Sequence, residues 1–458
     1  MENTVKVQRM GTEKVGKLLV EMSSQTTLAL LVYAIYSITD TYFLSVGINS
    51  LAAAGASIIS PVLIALGGVA TTVGAGGASV VSRALGEANH EKASRAVANT
   101  FLVFWTAAIL ITIFGAVFIK PIVSLLGATT TIAPYAITYG RIIFLGALTS
   151  TGFSTIVRAD GNIRYSTAMW IIPVTANIVL CWLFIMVLHL GVAGAALATI
   201  SGQAISAGMS IYFFFFKKDR SYSIKAAYFK PDWPVMGEVV LIGLPSLIKS
   251  LSSSLVVIIM NNLLKVLGGD SALSIFAIVS RLYSSLNTPQ TGLVQGMQPI
   301  VGFNFGQKKF ERVRKTIAYS LGTSGVYGLL ICLLCLVLPG ALLGLLSKEP
   351  LIVTQGQNAL RLMVLACPMC GVSLLVAAYF QSVGQAREAL IITLGGILLI
   401  KLPVLLLAAK FFGLTGIWLS EAASEFLLAG TSLILLKDYQ QKVKNQEKIL
   451  LPINELAK

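Results

Sequence analysis

Residues 31–44 read Leu-Val-Tyr-Ala-Ile-Tyr-Ser-Ile-Thr-Asp-Thr-Tyr-Phe-Leu, inside an apolar run from 18 to 46. That run exceeds the ~20 residues a helix needs to cross a bilayer, so it reads as a membrane span. One acid, Asp40, interrupts it. A carboxylate within the hydrocarbon costs ~3 kcal/mol on insertion scales, and residues that expensive face water-filled cavities and carry ions or protons. The plainer reading is a helix end that snorkels, because Asp40 lies close to the outer end of the run.

The rest of the chain has the same character. Of 458 residues, 56% are hydrophobic and only 12% charged, about half the usual share of charge. So few charges cannot cover a water-facing surface, and a polytopic membrane protein is expected. Further runs fall near 50–82, 95–119, 132–157, 165–188 and 191–216, then 236–264, 271–303, 315–338, 351–381, 388–410 and 413–436. The expected fold is therefore all-α, with 12 transmembrane helices. The residues up to Lys17 are polar and basic, so no cleavable signal is expected.

The net charge of +15 is unevenly distributed. With both termini on one side, the loops and tails of that side hold 25 of the 34 Lys and Arg residues, whereas the other side holds only Lys120, Lys265, Lys348 and Lys410. This bias predicts cytoplasmic termini. It also accounts for the charge through anionic headgroups of the lipid bilayer, so no nucleic-acid partner is expected.

The polar stretch from 217 to 235 divides the chain into expected lobes 1–216 and 236–436, with a cytoplasmic tail at 437–458. The halves look like copies. Arg83-Ala-Leu-Gly-Glu-Ala-Asn-His-Glu-Lys echoes Phe303-Asn-Phe-Gly-Gln-Lys-Lys-Phe-Glu-Arg, and Arg141 falls against Arg361, both at an offset of 220. Gly161-Asn-Ile-Arg answers Gly384-Gln-Ala-Arg, and Leu190-Gly-Val-Ala-Gly answers Phe412-Gly-Leu-Thr-Gly, at offsets of 223 and 222. Six spans per half preserve topology, which makes the repeats parallel. At the same offset of 220 the counterpart of Asp40 is Met260, so the halves are not equivalent.

Taken together, the two six-helix copies, Thr39-Asp-Thr-Tyr-Phe on the first helix, Arg83-Ala-Leu-Gly-Glu-Ala, Gly191-Val-Ala-Gly-Ala-Ala and Gly243-Leu-Pro245 resemble the multidrug and toxic compound extrusion (MATE) transporters end to end. The resemblance implies two six-helix lobes around a central cavity, exporting small organic cations against an inward flow of H⁺ or Na⁺. It places a cation-coupling site at Asp40, with Tyr36 one turn earlier and Asn177 and Thr199 as polar partners. At 1.5 Å per residue these four share a depth of roughly 9–17 Å below the outer surface. Some related proteins carry a second acid one turn after the Asn, where this chain has Cys181. A thiol is a poor Na⁺ ligand, so H⁺ is the expected ion. The family's first helix commonly carries a proline where this chain has Gln25, so a proline-bend mechanism is not expected here.

Lys401 and the i, i+4 pair Glu421 and Glu425 form a second charged cluster, read either as a further proton site or as a buried ion pair tying two helices. Cys332-Leu-Leu-Cys335 and Cys367-Pro-Met-Cys370 lie in apolar runs without nearby His or acid and read as packing. The Gly67–Gly77 run lacks a Gly-Lys-Ser/Thr and is no phosphate loop. Two histidines cannot build a catalytic or metal cluster, and no cofactor or enzymatic role is expected. The expectation is a monomeric proton-coupled multidrug antiporter of the plasma membrane. The rivals are a flippase for lipid-linked sugars and an integral membrane transferase.

Overall fold

The computed structural model describes residues 2–456 apart from 49, 151, 218, 219, 221, 347 and 348. Lipid offers no hydrogen bonds, so a spanning backbone must satisfy its own groups, and the elements are helices throughout. In order they are α1 (Glu2–Thr12), α2 (Val15–Gly47), α3 (Ser50–Gly86), α4 (His90–Leu125), α5 (Ala133–Leu145), α6 (Ser154–Ala159), α7 (Ile163–Cys181), α8 (Gly191–Ile211), α9 (Trp233–Gly306), α10 (Phe310–Val337), α11 (Pro339–Gly344), α12 (Pro350–Val364), α13 (Cys367–Ser382), α14 (Ala386–Leu390) and α15 (Leu402–Leu456).

Among the described residues nine helices are long and apolar enough to cross a membrane, or ten if α12 and α13, bent by 46°, count as one span. Two helices conceal reversals. The 74 residues of α9 would extend about 110 Å if straight, far more than a bilayer is thick. Its backbone leaves the helical region at Gly269, with φ +63°. The apolar stretch leading through α15 does the same at Gly413, with φ +56°. Dividing both there yields the twelve spans. Beyond its apolar part α15 continues to Leu456, so most of the expected tail is helical.

Six of the left-handed residues fall in pairs where the repeat was read. Ala88 (φ 56°) pairs with Lys308 (φ 58°), Gly161 (75°) with Gly384 (82°), and Gly191 (59°) with Gly413 (56°). The hydrogen bonds that stop the helices match too. Asn89 N–H donates to Ala84 O and Lys309 N–H to Asn304 O, both at 2.9 Å, while Asn162 donates to Val157 O and Gln385 to Phe380 O. Each is a six-to-one helix stop, which glycine favours because it has no Cβ to clash. The repeat is thus a repeat of helix endings.

By contact density the described residues form two compact units. Unit 1 comprises Met1–Leu251, Gln298–Lys309 and Gln381–Gly384; unit 2 comprises Ser252–Met297, Phe310–Phe380 and Gln385–Lys458. Unit 1 is packed around Ile59, Ala136, Tyr139, Cys181, Ala195 and Ala198. Unit 2 is packed around Leu264, Val279, Cys335, Leu360, Cys367 and Ile417. Large apolar side chains such as Leu110, Phe216, Leu399 and Phe411 point outward, as expected of helices facing lipid.

Since lipid tails are as apolar as leucine, helices associate through close packing and polar contacts. Thr112 Oγ1 donates to Phe144 O at 2.8 Å, and Tyr165 OH to Met209 O at 2.8 Å. At one end of unit 1, which carries the basic loops, α3 meets two other segments. A Cβ on Gly86 would strike Phe303 O, and one on Gly306 would strike Arg83 O. Ser79 Oγ donates to Gln381 O, and Arg83 pairs with Glu238 at 2.8 Å. The polar N-terminus is not a plain tail: Asn304 Nδ2 donates to Met10 O at 2.9 Å and Lys309 Nζ to Gly11 O at 3.1 Å, seating α1 on the same end.

Candidate ion-coupling site

Asp40 sits in the last two turns of α2. The Cys181 thiol, on α7, donates to its Oδ1 at 3.6 Å. The same sulfur lies 3.6 Å from Asn177 Oδ1, so one thiol proton serves two acceptors in turn. Tyr36 OH and Thr199 Oγ1, on α8, are 3.5 Å apart. Tyr139, from α5, is buried and lies within electrostatic range of Asp40. Cys181, Tyr139, Asn177 and Thr199 are all buried. The carboxylate bonds the thiol, has the Tyr36 and Tyr139 hydroxyls within electrostatic range, and is approached by no cation among the described residues.

Local backbone features set this arrangement. Pro173 lies inside α7, one turn before Asn177, and removes one backbone donor there. Directly after Cys181 the chain widens into a π-helical turn at Trp182–Val187, and Leu188 N–H donates to Leu183 O at 2.9 Å. Such turns redirect side chains and recur at functional sites. On α8, a Cβ at Gly202 would lie 3.1 Å from Pro173 O and 3.3 Å from the Asn177 Cβ. Glycine therefore lets α8 lie directly against α7 at the level of the site.

The four residues predicted here form two linked pairs. Asp40 and Asn177 are bridged by Cys181, and Tyr36 touches Thr199. Two contributors escaped the sequence reading. Cys181 was read as the loss of an acid, but it is the donor to Asp40. Tyr139 gave no signal, since a lone tyrosine in an apolar run has no distinguishing pattern. Tyr33 adds an aromatic flank, with its ring centroid 5.5 Å from Tyr36 and 5.7 Å from Trp170, edge-on to the indole.

The second cluster lies in unit 2. A π-helical stretch, Ile391–Lys401, ends on Lys401. Its Nζ reaches Glu421 Oε1 at 3.1 Å and Glu425 Oε1 at 2.7 Å. Ser373 Oγ donates to Glu425 Oε2 at 3.4 Å. One ammonium thus holds two carboxylates on the following helix. Met260, the counterpart of Asp40, is buried in the apolar core of unit 2.

A family model described as MatE matches residues 26–183 and 245–407, one stretch in each half. The chain is 26% identical over 441 residues to the multidrug export protein MepA of Staphylococcus haemolyticus, covering 95% of this chain and 96% of that one. It is also 26% identical over 431 residues to MepA of Staphylococcus aureus, covering 92% and 93%. Its fold is similar to that of a MATE transporter in a bent conformation, with TM-score 0.91 and 21% identity over 97% of this chain and 99% of that one. It is also similar to a MOP superfamily transporter from Pyrococcus furiosus whose reversed pocket polarity suggests a different function, with TM-score 0.89 and 21% identity over 96% and 98%. Twelve spans in two copies and a family match over most of both halves lead to one conclusion: the chain belongs to the MatE family of multidrug and toxic compound extrusion transporters, and it is a transporter rather than an enzyme.

Proposed function

We propose that the chain is a secondary-active multidrug exporter that trades small organic cations for protons by alternating access. Multidrug export is the named activity of the MepA relatives, which match nearly end to end. The observation that carries the coupling assignment is Asp40, a carboxylate in a membrane helix whose described neighbours offer a hydrogen bond but no cation. A charge in that setting is expensive unless something transported cancels it. A proton does so by occupying the carboxylate, and Tyr36, Asn177, Thr199 and Cys181 can rearrange hydrogen bonds around either form. Na⁺ prefers a shell of hard oxygens, and the thiol at 3.6 Å takes the place of one. The ion is therefore H⁺.

In this reading the halves 1–216 and 236–436 act as lobes, and the basic end faces the cytoplasm with both termini, in the plasma membrane of a monomer. Proton entry from outside cancels the Asp40 charge and lets α2 repack, which biases the outward-to-inward equilibrium and drives release of the cation. Closing and opening the cytoplasmic side requires the Gly86–Phe303 and Gly306–Arg83 backbone approaches to form and separate.

Proteoliposomes loaded with ethidium test the proposal. Wild type is expected to move protons when substrate is added, with or without Na⁺, and Asp40→Asn to abolish the coupled efflux. Unchanged efflux by Asp40→Asn would falsify the assignment. Scrambling of lipid-linked sugars without proton movement would favour a flippase.

A further inference from the structure

At the basic end of unit 1 lies a cavity of about 530 Å³, within the ~300–1,000 Å³ usual for small-ligand sites. Its walls come from the start of α4, from the end of the π-helical turn Tyr212–Phe216 after α8, and from Lys217, Arg220, Tyr222, Ser223, Lys225 and Tyr228. Lys217, Arg220, Lys225 and His90 line it. Among the described residues the one acid on the wall, Glu91, is engaged at 2.7 Å by Arg95. The cavity is therefore cationic, and the amino end of a 36-residue helix adds a partial positive charge.

Two side chains there are held in place with one polar atom each unpartnered among the described residues. Arg220 is anchored by its Nε–H, which donates to Lys217 O at 3.0 Å, while its Nη1 has no hydrogen-bond partner among the described residues. Tyr222 lines the same cavity and is only 5% exposed, and its hydroxyl has no partner among the described residues. Buried donors left open are costly unless something accepts from them. Beside them Phe216 is 67% exposed and Tyr212 56% exposed, continuing the lipid-facing surface up to the mouth of the cavity. Positive charge, open donors and an apolar margin at the end of a membrane span match a phosphate with acyl chains attached.

We propose that this cavity is a built site for a phosphate-bearing anion, the headgroup of an anionic phospholipid in the adjoining leaflet. Arg220 and Lys225 neutralise the phosphate, the Tyr222 hydroxyl donates to it, and the exposed aromatic side chains flank the acyl chains. The site stands apart from Asp40 and does not depend on which ion drives export.

The test uses full-length protein in phosphatidylcholine nanodiscs with rising fractions of phosphatidylglycerol, with retained lipid counted by native mass spectrometry. Arg220→Gln with Lys225→Gln is expected to weaken phosphatidylglycerol retention about tenfold or more, since each basic group near such a surface contributes on the order of 1 kcal/mol. Tyr222→Phe keeps every charge and is expected to weaken retention severalfold. Lys442→Gln, on the exposed part of α15, is expected to change nothing. A second arm adds inorganic phosphate to protein in pure phosphatidylcholine. If phosphate stabilises wild type but not the double variant while lipid retention is equal in both, the anion site stands with soluble phosphate as its ligand. Wild-type behaviour of the double variant in both arms overturns the site. So does loss in the double variant with Tyr222→Phe unchanged, which would signify only diffuse attraction to a basic loop.

Discussion

Asp160, in the turn between α6 and α7, is fully buried and lies outside the spans. Asn162 Nδ2 donates to its Oδ2 at 3.2 Å, and its Oδ1 has no partner among the described residues. Burial pushes its carboxyl up to about 7, against the opposing pull of the Asn162 hydrogen bond and of the Arg220 and Lys217 charges. A carboxyl raised on folding holds its proton more tightly in the folded state. Its contribution is thus fully present below the unfolded value near 4 and is lost as pH rises through about 7. Each pH unit between those values is worth about 1.4 kcal/mol, so full ionisation costs up to roughly 4 kcal/mol. Asp160→Asn keeps the shape and an acceptor for Asn162 but carries no charge. Thermal unfolding of the two proteins in one detergent, from pH 5 to pH 8.5, should give similar midpoints at the acid end. The midpoint of the variant should then rise progressively above that of wild type and hold a constant lead above pH 7.5. A gap that is flat across the range, or that favours wild type at high pH, would show that Asp160 is not held as a buried neutral acid.

Two further substitutions probe the packing around each cluster. Lys401→Met strands two carboxylates that share one ammonium and is expected to lose about 3–5 kcal/mol, whereas adding Glu421→Gln and Glu425→Gln should restore most of it; equal thermal midpoints for all three proteins would show that the cluster ties nothing together. Gly202→Val forces a side chain between α8 and Pro173–Asn177 and is expected to cost about 1–3 kcal/mol and slow efflux, while Gly208→Val, where nothing lies within 4 Å, should leave both unchanged.

What the sequence made legible was local. Helix stops are encoded by a few residues, so Gly161 against Gly384 and Gly191 against Gly413 could be paired by eye and recur as left-handed turns. Counting along helices also set Asp40, Tyr36, Asn177 and Thr199 at one expected level, and of these Tyr36 and Thr199 lie 3.5 Å apart while Cys181 joins Asp40 to Asn177. What stayed hidden depended on which face meets which neighbour. Cys181 donates to Asp40 only because α2 and α7 cross at that level, and the π-helical turn that follows it leaves no compositional mark. Tyr139 enters from a third helix. The short α1 escaped because its buried residues Val7 and Met10 are too few to stand out in a polar stretch, and its partners lie nearly 300 residues away.

The two clusters differ in geometry although they sit in corresponding halves of a duplicated scaffold. Spans five and eleven both contain wide π-helical turns, and both bring a polar group into an apolar lobe. In the second half, Lys401 bonds both glutamates, so losing or gaining a proton at one carboxylate leaves the ammonium held by the other. The geometry there resists a change of charge. In the first half the hydrogen-bond donor on the acid, among the described residues, is a thiol, a weak one, and the surrounding hydroxyls can donate or accept. Adding a proton to Asp40 reverses the direction of a hydrogen bond rather than trimming a redundant ion pair. A switch needs two arrangements close in free energy that a transported ion can tip, and on this ground coupling is proposed for Asp40 rather than for the Lys401 cluster.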